Sequence, residues 1–263
     1  MIWVGVFFEG VGLVVGSGDR DSIVKVCMIA GKIMLMSGAE THRVEDTMNR
    51  MAHAFGVESA QSHATPTGIN FSAGMTEVNN FVRILKRPTD LHKIAEVNSI
   101  SRKIIAGELS PEKAYRKLLK IEAAPPVYTV WLQIIIAALV SGCFVIMFQG
   151  TWTDFLPACI AGGLGFAVMA GMDRLLEIRY LAEFFGAFVI GISSYLLIHY
   201  GFALELDKVI IGAVMPLVPG LHITNAIRDM VAGHLLSGIS KGVEATLTAF
   251  SIGAGVSLLF AFV

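Results

Sequence analysis

Residues 215–229 read MPLVPGLHITNAIRD, and this stretch decides how the second half of the chain folds. It lies in the most apolar part of the sequence. Yet Pro216, Pro219 and Gly220 interrupt it, and Thr224, Asn225, Arg228 and Asp229 follow at once. A helix that only crosses a bilayer has no use for any of these. Proline donates no backbone hydrogen bond and glycine relaxes the chain, so one half-helix should end at 216–220. A second should start near Ile223, with Thr224 or Asn225 available as its cap. Its free N–H groups and the positive end of its dipole would then point into the protein, where a carboxylate can sit. Along the second half-helix, Thr224, Asn225, Arg228 and Asp229 share an arc of about 140°, while Ile223, Ile227, Met230 and Val231 fill most of the rest. Arg228 can clamp a carboxylate in a bidentate fork. Asp229 can hold an ammonium group or carry a coupling proton. The alternative is that Arg228 and Asp229 form a solvated pair at the membrane surface.

Around this break the chain is built for lipid. Of its 263 residues 54% are hydrophobic and only 16% charged, against about a quarter charged in an ordinary soluble domain. The charge is unevenly placed: of the 20 Lys and Arg, all but Arg174, Arg179, Lys208, Arg228 and Lys241 lie between Arg20 and Lys120. The sequence therefore divides near Pro125 and Pro126 into a charged part, 20–126, and a transmembrane part, 127–263. Apolar runs of membrane-spanning length fall at 127–149, 155–172, 181–200 and 245–263, and the interrupted run 209–232, broken at 216–220, makes a fifth crossing. The excess of Lys and Arg places the amino-terminal part in the cytosol, and the connections follow suit. Residues 173–179 and the pair Arg228 and Lys241 fall inside; 150–153, without a basic residue, and the acidic 201–207 fall outside. Gly162, Gly163, Gly165, Gly186, Gly191, Gly253 and Gly255 mark faces on which helices approach closely. Glu183 is an ionisable group a few residues into the third crossing, which makes it a candidate for proton coupling; otherwise it reaches back to the surface. His222 and His199 can relay protons or serve as structural hydrogen-bonding residues. The leader 1–19 is apolar but lacks a basic start and contains Glu9, so it reads as a segment covering a membrane surface or a partner.

The charged part reads as a small α+β domain. Helical periodicity runs over 22–55 with a break at Ser37 and Gly38; strands are expected at 57–63, 68–73 and 80–85, with turns at TPTG (65–68) and KRPTD (86–90). Asp90 can cap a helix to about Ile105, and Ser110, Pro111 and Glu112 start another. On the helix over 38–55, His42, Asp46, Asn49 and His53 fall on one narrow face with Glu45 at its edge, opposite Val44, Met48, Met51 and Phe55. Such a stripe can hold a divalent cation, or it is a solvated face whose Glu40, Arg43 and Asp46 pair with one another. There is no HExxH or phosphate loop, so nothing indicates an enzyme, a cofactor or a resident metal. Cys27, Cys143 and Cys159 form no CxxC pair and read as apolar fillers. A net charge of −1 gives no basic surface for nucleic acid.

Four separated segments carry a resemblance. SGAETHRVEDTM (37–48), TPTGI (65–69), VNSISRKIIAGELSPEKA (97–114) and MPLVPGLHITNAIRDMVAGHLLSGISKGVEA (215–245) resemble, in order, the threonine/serine exporter family, from about Val26 onward. The resemblance implies a bacterial cytoplasmic-membrane protein that moves small hydrophilic carboxylates outward: threonine and serine, or a dicarboxylate such as succinate. It also implies a cytosolic α+β domain ahead of the membrane helices. The motif positions in that domain are Glu40, Thr41, Arg43, Glu45 and Asp46, with Pro66, Thr67 and Gly68. Full-length members are about twice this size. The chain is thus similar to the split form, in which a second small membrane subunit supplies the other half; a related two-chain system exports succinate. An oligomer in the lipid membrane is compatible with this. The competing readings are a membrane-tethered hydrolase or metal-dependent enzyme using His42, Asp46 and His53, and a scaffold that stabilises a partner without transporting.

Overall fold

Gly38 ends the first long helix by taking a left-handed backbone conformation, φ +86°, which glycine adopts without strain. Ala39 N–H then donates back to Met34 O at 3.0 Å and closes the helix end. This is the break expected at Ser37 and Gly38. The computed structural model describes residues 17–74 and 77–261. The leader expected at 1–19 lies outside the described residues, apart from its last three, which open the first helix. The chain forms two units that meet at Pro125 and Pro126, and each is described by itself.

The first unit contains α1 (Ser17–Met36), α2 (Thr41–Ala54), β1 (Gln61–Thr65), β2 (Gly68–Ser72), β3 (Asn80–Arg83), α3 (Leu91–Ile105) and α4 (Pro111–Ala123). The strands form an antiparallel sheet in the order β1-β2-β3. Pro66 and Thr67 make the two-residue turn between Thr65 and Gly68, so the first strand ends at Thr65, two residues later than the sequence suggested. Gly68 is required by its neighbour on β3, since a Cβ there would sit 2.6 Å from Cε2 of Phe81. The helices bury Val26, Cys27, Ala30, Met34, Val44, Met48, Met51, Val97 and Leu118 against Ile69 and Phe71 of the sheet. Each of the larger side chains contributes about 1.5–3 kcal/mol by leaving water. Burial pushes the Cys27 thiol up to about 12, so it is an inert filler at neutral pH. Asp90 caps α3 as expected, accepting from the Lys93 N–H at 3.1 Å.

The second unit contains α5 (Val130–Met147), α6 (Trp152–Leu176), α7 (Arg179–His199), α8 (Leu206–Val214), α9 (Gly220–Val231) and α10 (Leu235–Leu259), with one 3-10 turn, Met215–Leu217, after α8. Among the described residues four helices, α5, α6, α7 and α10, are long and apolar enough to cross a membrane. The pair Leu206–Leu217 and Gly220–Val231, bent by 58°, makes a fifth if it counts as one crossing. One boundary needs correcting. The last long helix starts at Leu235, ten residues before the expected 245, and so contains Lys241 and Glu244, which the sequence placed in a connection. Hydropathy breaks the span at these charges, whereas the fold neutralises Lys241 by pairing it.

Small residues set the helix spacing. A Cβ on Gly165 would lie 2.9 Å from Gly186 O, and one on Gly186 2.9 Å from Gly165 O, so α6 and α7 touch backbone to backbone. Gly212 brings α8 within reach of α5, where its Cβ would meet Val145 N at 2.9 Å. Gly255 packs on Ala187, but Gly253 faces open space, contrary to the packing role expected of it. At one end of the unit, the buried carboxylate of Asp154 in the first turn of α6 accepts from Leu204 N–H at 2.7 Å and from Thr151 N–H at 3.3 Å. The connections before α6 and before α8 therefore lie together, as the charge pattern required of two loops on one side.

Candidate anion site at the helix break

Pro219 (φ −79°, ψ 51°) interrupts the helical backbone, and α9 begins directly at Gly220. The start is three residues earlier than the expected Ile223, because Pro219 O already accepts the Ile223 N–H at 3.1 Å. Thr224 and Asn225 are consequently inside the helix and do not cap it. Thr224 Oγ1 donates instead to Gly220 O at 2.9 Å. Among the described residues no side chain caps the start of α9, which leaves first-turn N–H groups for water or a ligand. Nothing lies within 4 Å of the position a Cβ on Gly220 would take, and Gly220 has no positive φ. Its use here is open space rather than a special conformation. Leu217, in the turn just before the break, packs on α7, its Cδ2 3.4 Å from where a Cβ on Gly186 would be.

The first turns of α7 face this start. Arg179 Nε donates to Glu183 Oε1 at 2.7 Å, and Arg179 Nη1 reaches His222 Nε2, in the first turn of α9, at 3.1 Å. Arginine only donates, so His222 accepts here as a neutral ring with its proton on Nδ1. Glu183 is 3% exposed. Its second oxygen, Oε2, is buried and has no hydrogen-bond partner among the described residues. A buried acceptor left that way is costly, so this atom calls for a hydrogen-bond donor.

The polar arc of α9 divides in two. Asp229 is fully buried and bonds Lys241 Nζ of α10 at 2.7 Å, with Lys241 itself 5% exposed. Gly238 permits the approach, since a Cβ there would lie 2.8 Å from Ala226 O. Arg228, one residue earlier and so about 100° around the helix, is exposed, as is Thr224, while Asn225 is half-buried. Arg228 and Asp229 thus differ in exposure, the one at the surface and the other buried. His199 stacks near Tyr195 and Tyr200 at the far end of α7, about 30 Å from Arg179 at 1.5 Å per residue, so it does not join the site. Sequence reasoning counted Arg179 and Lys241 only as markers of orientation. The signals that could have found them are the i, i+4 spacing of Arg179 and Glu183, and the short Gly233 turn that folds Lys241 back on Asp229.

In the first unit the polar stripe on α2 is not one open face. Glu45 Oε1 accepts the Ala64 N–H at 2.7 Å and Asn49 Oδ1 accepts from Ser62 Oγ at 2.9 Å, so both are spent on holding β1. Asp46 pairs with Arg50 at 2.8 Å, and Glu40, 5% exposed, pairs with Arg43 at 3.2 Å. His42 is half-buried and His53 exposed. Among the described residues no three His, Cys, Asp or Glu side chains are grouped to hold a metal ion. Pro66 is buried and Thr67 exposed in the β1–β2 turn.

Comparison with known proteins agrees with a membrane carrier. A family model described as "Putative threonine/serine exporter" matches residues 25–263. The chain belongs to the threonine/serine exporter family. It is 23% identical over 252 residues to the "Threonine/serine exporter" of Corynebacterium glutamicum, covering 91% of this chain and 52% of that protein. It is 24% identical over 250 residues to the "Probable succinate transporter subunit YjjP" of Escherichia coli, covering 90% of this chain and 93% of that protein. The chain thus spans about half the length of the named threonine/serine exporters it matches and nearly all of the YjjP subunit. The relatives with a named activity are transporters, not enzymes, and with its long apolar helices this exporter-family chain is a multi-pass membrane protein. No solved structure matches the chain.

Proposed function

We propose that this exporter-family chain is one half of a two-subunit exporter of small hydrophilic carboxylates, threonine and serine or a dicarboxylate such as succinate. The observation that carries the reading is the open, uncapped start of α9, set against Arg179 and against a buried carboxylate oxygen that lacks a donor. Pro216 and Pro219 create the break, and Gly220 keeps it open. The first-turn N–H groups receive the carboxylate, with Thr224, Asn225 and Arg228 along the same helix. Glu183 carries the coupling proton on Oε2 when no substrate donor occupies that oxygen. His222 and Asp229 belong to the same proton path. The first unit, with its motif at Glu40–Asp46 and 66–68, lies in the cytosol, and the cell membrane is crossed five times. The named subunit YjjP, matched over nearly its whole length, supports a second small membrane subunit as partner.

Two measurements address this. Purified chain in proteoliposomes, with and without the companion subunit, should exchange labelled threonine, serine or succinate only when both are present. Absence of exchange for all three with both subunits rejects the function. For the topology, in a chain with the exposed Cys143 removed, Leu204→Cys should react with an impermeant thiol reagent added to intact cells, whereas Leu175→Cys should react only after permeabilisation. The reverse pattern rejects the orientation.

A further inference from the structure

Glu183 Oε2 is a buried acceptor with no hydrogen-bond partner among the described residues. The other oxygen of the same carboxylate is held by Arg179 at 2.7 Å, and Arg179 is held in turn by His222 at 3.1 Å. The side chain is only 4% exposed, and the open oxygen is itself buried. The Arg179 side chain, by contrast, is 46% exposed, so it can be reached from outside. One cation and one acceptor, joined through the Arg179–Glu183 bond, thus lie next to the open start of α9.

We propose that Arg179 and Glu183 form a two-point recognition site that selects carboxylates bearing a hydrogen-bond donor, an ammonium or a hydroxyl, on the carbon next to the carboxylate. The ligand carboxylate lies on the guanidinium edge of Arg179 and the α9 N–H groups. Its neighbouring donor fills Glu183 Oε2. A ligand without that donor leaves the oxygen unpaired, and a site built to receive a donor rejects such an analogue strongly. A dicarboxylate fares worse, because its second anionic group would face Glu183. This selection rests on the carboxylate-carrier reading above, and it makes Glu183 the residue that determines specificity.

Three ligands of nearly equal size separate the terms: L-alanine with an α-ammonium, L-lactate with an α-hydroxyl, and propionate with neither. Equilibrium binding to the full chain with its companion subunit in detergent, measured by calorimetry, should give alanine and lactate at least about tenfold tighter than propionate. Succinate should bind no better than propionate. Equal affinities for the three, or a preference for succinate, overturn the selection while leaving the carrier reading intact. Absence of binding by all four overturns both. Glu183→Gln should flatten the alanine-to-propionate ratio toward one, whereas Arg179→Gln should weaken every carboxylate together. A purely structural role for Glu183 predicts an unchanged ratio in whatever fraction of Glu183→Gln protein folds. Because the ligand series is read on the unaltered protein, a variant that fails to fold does not protect the proposal.

Discussion

Lys241→Met is expected to destabilise the second unit by roughly 3–5 kcal/mol, because it removes the ammonium that the fully buried Asp229 carboxylate bonds at 2.7 Å. The lysine stem lies in the α9–α10 contact, so methionine replaces its volume and removes only the charge. Lys241→Met with Asp229→Leu should recover most of the loss, since exchanging a buried ion pair for apolar side chains of similar size is often neutral. The check is the melting temperature of the detergent-solubilised chain, followed by monomer abundance. A single variant as stable as the double one contradicts the pairing. The double variant also separates two roles of Asp229. If Asp229 carries a proton, the stable double variant should lose coupled export; if the pair only fastens α9 to α10, export should persist.

The break at 216–220 is legible because proline and glycine act locally: the missing donor and the absent side chain end a helix whatever surrounds them. Its consequences are less so. The start of α9 is displaced to Gly220 because the Pro219 carbonyl can still accept a helical bond, so a proline that ends one helix also opens the next. That shift takes Thr224 and Asn225 out of capping positions. Helical periodicity puts His42, Asp46, Asn49 and His53 on one face with Glu45 at its edge, but a period says nothing about what covers a face. The β1 strand covers Glu45 and Asn49, and it is placed by a turn about twenty residues on, at Pro66 and Thr67. Lys241 is misread for a related reason. A hydropathy window charges the full cost of a lysine in lipid, while the fold cancels it with an aspartate twelve residues away. Arg179 fails in the opposite direction. As a basic residue in a connection it is useful for orientation, and nothing in its local sequence shows that His222, forty-three residues later, comes within hydrogen-bonding reach.

The account turns on whether a carboxylate ligand occupies the start of α9, and Gly220 allows that to be read directly. Space for a side chain exists there, with nothing within 4 Å, and the backbone conformation is open to any residue, so Gly220→Cys should fold and carry an accessible thiol. Its rate of modification by a small thiol reagent is measured in the chain together with its companion subunit, in a background lacking the exposed Cys143. A ligand seated on the α9 N–H groups covers that thiol, and occupancy follows mass action. At a ligand concentration ten times its Kd, modification should slow roughly tenfold, while a thiol at exposed Leu175 should be unaffected. Slowing by a transported carboxylate at Gly220→Cys alone is the predicted result. Equal modification rates with and without saturating ligand would contradict the site.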